Sequence, residues 1–227
     1  MIIGSGLLAQ AFASQYSQRD DVCIFASGVS NSGCLDTREF DRERQLLSTT
    51  LEMSEQVSAF IYFGTCSVGD PEVNATPYVQ HKLAMEQLAA THPQHLILRL
   101  PQIAGKTTNP HTLLNYLYER ISRGECFELW NNAKRNIIDI DDVVKIASQV
   151  IDCATYRNIT LTIANPDCYP IIDIVGAMER AVARHAIYRI VERGSKCMID
   201  ANTLVNCPSV EFSRDYLTKV VDKYHGK

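Results

Sequence analysis

Apolar residues along this chain fall in short runs separated by longer amphipathic stretches. Ile2-Ile3 comes first and meets Gly4-Ser5-Gly6 at once. Leu8, Ala11, Phe12 and Tyr16 then recur at helical spacing to about residue 18. Val22–Ala26 is a second apolar run, closed by Ser27-Gly28. Ala59–Phe63 is a third, leaving through Gly64-Thr65-Cys66-Ser67, and Leu96–Leu100 is a fourth, stopped by Pro101. Between them Thr37–Glu55 carries Phe40, Leu47, Leu51 and Met53 among alternating charges without a proline, and Tyr78–Ala90 follows the loop bracketed by Pro71 and Pro77. Both stretches predict helices. Strand and helix alternating in this way predict a mostly parallel sheet with helices on both faces.

After residue 105 the rhythm changes. Leu113, Leu114, Leu117 and Ile121 mark one helix face, Phe127–Trp130 a short strand, and Asn131-Asn132 a turn. Ile137-Ile138 runs into Asp139-Ile140-Asp141-Asp142, where an aspartate caps a helix carrying Val143, Val144, Ala147, Val150 and Ile151. Asn158–Ala164 predicts a strand, Ile171–Arg184 a helix, Ala186–Val191 a strand, and Ser213–Lys223 a last amphipathic helix. The division expected is residues 1–105 as a Rossmann-like dinucleotide-binding core. Residues 106–227 supply the remaining sheet elements, interleaved with a small substrate-binding lobe.

Composition narrows the function classes. A chain of 227 residues, 46% hydrophobic, buries a sizeable core without disulfides or metal. Its net charge of −4 argues against a nonspecific nucleic-acid binder. No run reaches the ~18 apolar residues of a membrane span, and Met1-Ile2-Ile3-Gly4 lacks the basic segment of a signal peptide, so a cytoplasmic location is expected. The eight cysteines form no C-x-x-C pair and read as reduced thiols. The six histidines include no H-E-x-x-H, and no metal site is expected. His81 reads as a surface or interface residue, His92 and His95 as solvated, and Trp130 as core or lobe wall.

In open parallel sheets ligands lie beyond the carboxyl ends of the strands, here Gly4, Ser27, Thr65 and Pro101. Gly4-x-Gly6-x-x-Ala9 follows a strand and opens a helix, as a dinucleotide fingerprint requires. Gly4 permits the turn, Gly6 admits a pyrophosphate to the backbone, and Ala9 keeps the helix close to the sheet. The same pattern also fits a strand-to-helix turn without a ligand. The acid expected about 20 residues on, to hold the adenosine ribose, is replaced by Phe25-Ala26-Ser27. Its absence favours NADP slightly over NAD, and no Arg or Lys stands beside Ser27 in sequence to strengthen that preference.

Tyr78 and Lys82 stand four apart on one helix face. A phenol with a pKa near 10 is a poor acid or base at neutral pH, and a nearby ammonium makes it a better one. Thr65 reaches the same substrate oxygen, with Ser67 as the fallback. The bare spacing also fits a half-buried tyrosine with a lysine lying along it toward water.

Together these stretches resemble the extended short-chain dehydrogenase/reductases, the nucleotide-sugar epimerases, dehydratases and ketoreductases. Val22–Gly28 looks like the family's fourth strand and its Ala-rich exit, and Phe63–Val68 like the strand exit with the catalytic Ser/Thr. Pro77–Glu86 looks like the proline-tyrosine-x-x-x-lysine helix, Leu98–Gly105 like the strand entering the substrate lobe, and Arg135–Val143 like a late arginine–aspartate segment.

The resemblance implies Thr65, Tyr78 and Lys82 as catalytic residues. It implies Gly4, Gly6, Leu7, Ala9, Ala26, Ser27 and Pro101 as the binding set for NAD or NADP, and Ser67 and Arg135 as ligands of a nucleotide-sugar or related substrate. It further implies a homodimer through helices 37–55 and 78–90. The family carries two more strands between the first helix and Val22–Ala26, so here the first strand is expected at the sheet edge. Ketoreduction or epimerisation fits these residues, while Cys66 and Ser67 stand where a dehydratase would carry acids. Two other readings use the same residues: a non-catalytic or regulatory protein on a shortened scaffold, and a nucleotide-sugar binding module without redox cofactor.

Overall fold

The computed structural model describes every residue except Ser195, Met198, Ala201 and Lys227. The first half alternates as its pattern predicts: β1 (Ile2–Ile3), α1 (Leu7–Tyr16), β2 (Val22–Phe25), α2 (Thr37–Met53), β3 (Ala59–Thr65), a 3-10 turn (Cys66–Gly69), α3 (Pro77–Ala89) and β4 (His95–Leu100). The second half follows as β5 (Gln102–Ala104), α4 (Leu113–Arg123), β6 (Phe127–Trp130), β7 (Lys134–Arg135), β8 (Ile137–Asp139), α5 (Ile140–Ile151), β9 (Ile159–Thr162), β10 (Tyr169–Pro170), α6 (Ile171–Val182), β11 (Tyr188–Val191) and α7 (Tyr216–His225).

Five strands form one parallel sheet in the order β1-β2-β3-β4-β9, with β1 at its edge as expected. Every residue of β2 and β3 is buried, because both sheet faces are covered. Ile24, Ile61 and Phe63 point toward α1 and α5, against Phe12, Val143 and Ala147. Cys23, Phe25, Phe60 and Tyr62 point the other way, against Leu47 of α2 and Met85 of α3. This is a Rossmann-like arrangement of reduced strand number. Its carboxyl edge gathers Gly4, Ala26, Thr65 and Pro101.

α5 and β9 return from the second half to the sheet, while β6, α4, α6 and α7 build a separate apolar cluster, the small lobe. Asp139 caps α5 through the Asp141 N–H. Asp142, in the first turn, instead accepts the Tyr216 hydroxyl at 2.7 Å, and Lys223 bridges Asp139 and Asp141, which fastens α7 to this turn.

Three expectations change. Cys168 and Cys197 are joined in a disulfide rather than free, because β10 and the segment after β11 meet in space although they are remote in sequence. His92 is buried, its Nε2 against the Ser54 carbonyl and its ring stacked on Phe60, so it is not solvated, and His95 lies half-buried in β4. Trp130, on β6 of the small lobe, is exposed, which excludes the core among its two expected places and leaves the lobe wall. Among the described residues no helix is long and apolar enough to cross a membrane, and no three His, Cys, Asp or Glu side chains gather as a metal site.

Candidate active site

A cleft of about 610 Å³ opens along the carboxyl edge of the sheet. Its floor begins at the β1–α1 turn. Gly4 has φ +127°, and a Cβ there would run into the Ala26 carbonyl, so only glycine lets the turn nest against the exit of β2. Gly6 is the N-cap of α1, no side chain caps the helix, and nothing stands within 4 Å of where its Cβ would be. The free N–H groups of the first turn therefore face open space, as an anion requires. Gly6, Leu7, Ala26, Ser27 and Pro101 line the cleft, whereas exposed Gly4 and buried Ala9 are not part of its lining.

The far wall comes from β3 and α3. Thr65 accepts the Ser67 N–H at 3.2 Å and so starts the 3-10 turn, and its hydroxyl also hydrogen-bonds the Tyr78 phenol. Thr76 caps α3, and Pro77 opens its first turn. That start places Tyr78 against Val29, Phe40 and Val79, with its hydroxyl end in the cleft. Burial pushes the Tyr78 phenol up to about 12; hydrogen bonding with Thr65 opposes the rise, and the charge of Glu43 adds to it. The structure thus brings Thr65, Ser67, Tyr78 and Lys82 to one cleft.

Lys82 does not run along Tyr78 to water. It is 3% exposed and donates to Glu43 Oε1 at 3.2 Å, with its Nζ 4.5 Å from the centre of the Tyr62 ring. His81, expected at the surface, is buried as well: its Nε2 lies 2.9 Å from Glu43 Oε2 and its ring stacks on Phe40. Both corrections have one cause. Glu43 of α2 reaches beneath the cleft and collects the polar ends of α3.

Arg42, which sequence reasoning passed over, stands beside Ser27 after all. Its guanidinium donates to the Ser27 carbonyl at 3.3 Å and to the Ser27 hydroxyl at 3.4 Å, and is paired with Glu39. Across the cleft Asn109 donates to the Ser30 hydroxyl, tying the loop after β5 to the loop after β2. Arg42, paired with Glu39, and Lys82, paired with Glu43, are the Lys and Arg side chains of the lining, and among the described residues that line the cleft none is an acid. Arg135 is not part of this lining. It lies on β7, half-buried, donating to the Lys134 carbonyl, with Asp70 and Glu72 as the charges that act on it. The Cys66 thiol, pushed up to about 12 by burial, is no nucleophile.

A model of the family described as the NAD dependent epimerase/dehydratase family matches residues 27–161, more than half of the chain. No curated protein matches. Among solved structures, UDP-N-acetylglucosamine 4-epimerase from Bacillus cereus superposes with a TM-score of 0.71 at 14% identity, over 99% of this chain and 96% of that one. UDP-glucuronic acid 4-epimerase from Bacillus cereus, in complex with UDP-glucuronic acid and NAD, gives 0.73 at 16% identity, over 96% and 77%. RMD from Pseudomonas aeruginosa, complexed with NADPH, gives 0.63 at 14%, over 89% and 82%. At such identities the likeness is one of fold. The matched segment contains Thr65, Tyr78, Lys82 and Arg135, and begins after the Gly4–Ala9 turn.

Proposed function

Because the chain belongs to the NAD dependent epimerase/dehydratase family, we propose that it is an NAD(P)-dependent oxidoreductase or epimerase acting on a nucleotide-sugar or a related hydroxyl or keto substrate. The observation that carries this reading is the convergence of Thr65, Tyr78 and the open Gly6 turn on one cleft without a carboxylate. The residues fit the cofactor in part. Gly6, Leu7 and the first turn of α1 would hold the pyrophosphate, Ala26, Ser27 and Arg42 its adenosine side, and Pro101 would pack on the nicotinamide. When bound, that nicotinamide supplies or accepts the hydride.

The chain's own residues then manage the proton. Tyr78 transfers it at the phenol oxygen, Thr65 turns its O–H from that phenol to polarise the same substrate oxygen, and Lys82 anchors the far side of the cleft beneath Gly28. The acids that a dehydration would need are missing from the lining, which favours ketoreduction or epimerisation. NADP is favoured over NAD by Arg42 at Ser27, where a carboxylate would repel a phosphate. Two copies would pair through α2 and α3, and the exposed side chains of α2 include Asp41, Arg44, Gln45, Glu52 and Met53.

Calorimetric titration with NADPH and NADH tests the reading. A micromolar Kd for either supports it, and absence of binding at millimolar cofactor sinks it. The second reading, a non-catalytic protein on the same scaffold, draws on β1 standing at the sheet edge with no strand beyond it among the described residues. It requires that absence of binding.

A further inference from the structure

One stretch of chain along the cleft has no part in the chemistry above. After β5 the chain stays at the site: Thr107, Thr108, Asn109 and His111 line the cleft before Thr112 caps α4. The stretch starts against α1. A Cβ on Gly105 would lie 2.8 Å from both terminal methyl carbons of Leu7 and 3.1 Å from a methyl of Ile140, so the backbone there lies close on the first turn of α1. At Asn109 it reaches the other side. The Asn109 side-chain amide donates to the Ser30 hydroxyl at 3.2 Å, and Ser30 stands in the loop after β2, 79 residues away in sequence. Leu7 adjoins Gly6, and Ser30 lies just beyond Ser27. The stretch is therefore tied to both sides of the seat assigned above to the dinucleotide.

Both ends of the Asn109–Ser30 bond are held in place. Asn109 Oδ1 accepts the His111 N–H at 3.0 Å, which leaves Nδ2 to face Ser30. The Asn115 amide, in the first turn of α4, donates to the carbonyls of Thr107 at 2.9 Å and Asn109 at 2.8 Å, so the stretch is carried by the small lobe. On the other side Val29, next to Ser30, donates its N–H to Glu43 at 2.7 Å and packs with Phe40 and Tyr78, so that loop is carried by the sheet core. The bond thus joins lobe to core across the cleft. Ser30 is exposed and Asn109 half-buried, and one neutral hydrogen bond shifts an opening equilibrium by roughly 2- to 10-fold. A bond of that size holds a strap without locking it.

We propose that residues 105–109 form a strap across the dinucleotide seat, latched by the Asn109–Ser30 hydrogen bond, and that the latch parts as the cofactor enters and as it leaves. The dinucleotide as the passing ligand rests on the proposed function; the strap and its latch rest on the contacts themselves. A latch closed both before and after binding slows association and release by the same factor and leaves the affinity in place.

Ser30→Ala tests it, because it removes the acceptor and leaves the turn around Asn109 intact. Hydrogen exchange read by mass spectrometry on the full chain, without ligand, is expected to run about 2- to 10-fold faster over 107–116 in the variant, with β2, β3 and β4 unchanged. The amides of Asn109, His111, Asn115 and Tyr116 are the reporters, since each is hydrogen-bonded within this stretch. Unchanged exchange there overturns the latch. Stopped-flow mixing with NADPH reads the gate: both rate constants are expected to rise together by about that factor, with Kd within about twofold of the parent's. Rates equal to the parent's overturn the gate. Faster release alone, with Kd weakened in proportion, overturns it too, because Ser30 is then a ligand contact. A parent chain that binds no NADPH overturns the proposed function and the gating role with it, whereas the exchange result stands without cofactor, so the two failures are told apart.

Discussion

Tyr78 and Arg42 carry the predictions that belong to single residues. Tyr78→Phe removes the proton donor but keeps the ring that packs on Val29 and Phe40. Turnover is expected to fall at least ~100-fold, the low end of what a general acid–base step contributes, with the thermal midpoint and cofactor Kd nearly unchanged; a loss of only a few-fold would assign the proton to another group. The pH dependence has a definite sign. With the phenol pushed up to about 12 by burial, reduction, which needs the protonated form, stays level through neutral pH and declines only as the medium approaches that value. Oxidation, which needs the phenolate, rises with pH over the same range. Initial rates in both directions check it. Arg42→Ala is expected to weaken NADPH binding about tenfold or more, as loss of a charge-assisted hydrogen bond of ~1.5–3 kcal/mol implies, and to affect NADH less. Equal losses for the two cofactors would place Arg42 away from the extra phosphate.

At the scale of elements, the β1–α1 turn separates structure from binding. Gly4→Ala places a side chain at φ +127° against the Ala26 carbonyl, so a loss of about 1–3 kcal/mol in folding stability is expected, on the scale of such backbone strain. Gly6→Ala meets nothing within 4 Å and is expected to fold like the parent while binding the dinucleotide more weakly. Urea unfolding and cofactor titration of the two variants read the contrast directly. The same scale decides what the amino-acid pattern reveals. β2, β3 and β4 are legible because a strand buried on both faces is a continuous apolar run between turn residues, and α1 and α3 because their spacing and caps are local. β5, β7 and β10 span two or three residues and leave no period to read. Glu43 reads as one charge in Asp41-Arg42-Glu43-Arg44, a solvated helix face. Yet Phe40, Glu43, Leu47 and Thr50 share a single buried stripe, and that 3–4–3 spacing was the available signal that one carboxylate points inward. His81 was misplaced for the same reason, because its partner stands 38 residues away. The contact of Arg42 with Ser27 and the Cys168–Cys197 disulfide likewise depend on elements that meet only in the folded chain.

For the molecule as a whole, the consequence of a sheet that ends at β1 is electrostatic. Strands beyond β1 would wall in an adenosine with apolar and ribose-binding side chains; none is present among the described residues. What remains to hold a dinucleotide's outer half is charge: the open N-terminus of α1 and the exposed Arg42 guanidinium, which it would share with Glu39. Such contacts are screened by salt, since the Debye length shrinks from about 10 Å at 0.1 M to about 3 Å at 1 M, whereas burial against apolar walls is not. NADPH affinity is therefore expected to weaken by roughly tenfold between about 0.1 and 1 M salt, with NADH, one phosphate poorer, changing less. Calorimetry across a salt series measures both. A Kd indifferent to salt would mean that an apolar wall covers the adenosine after all.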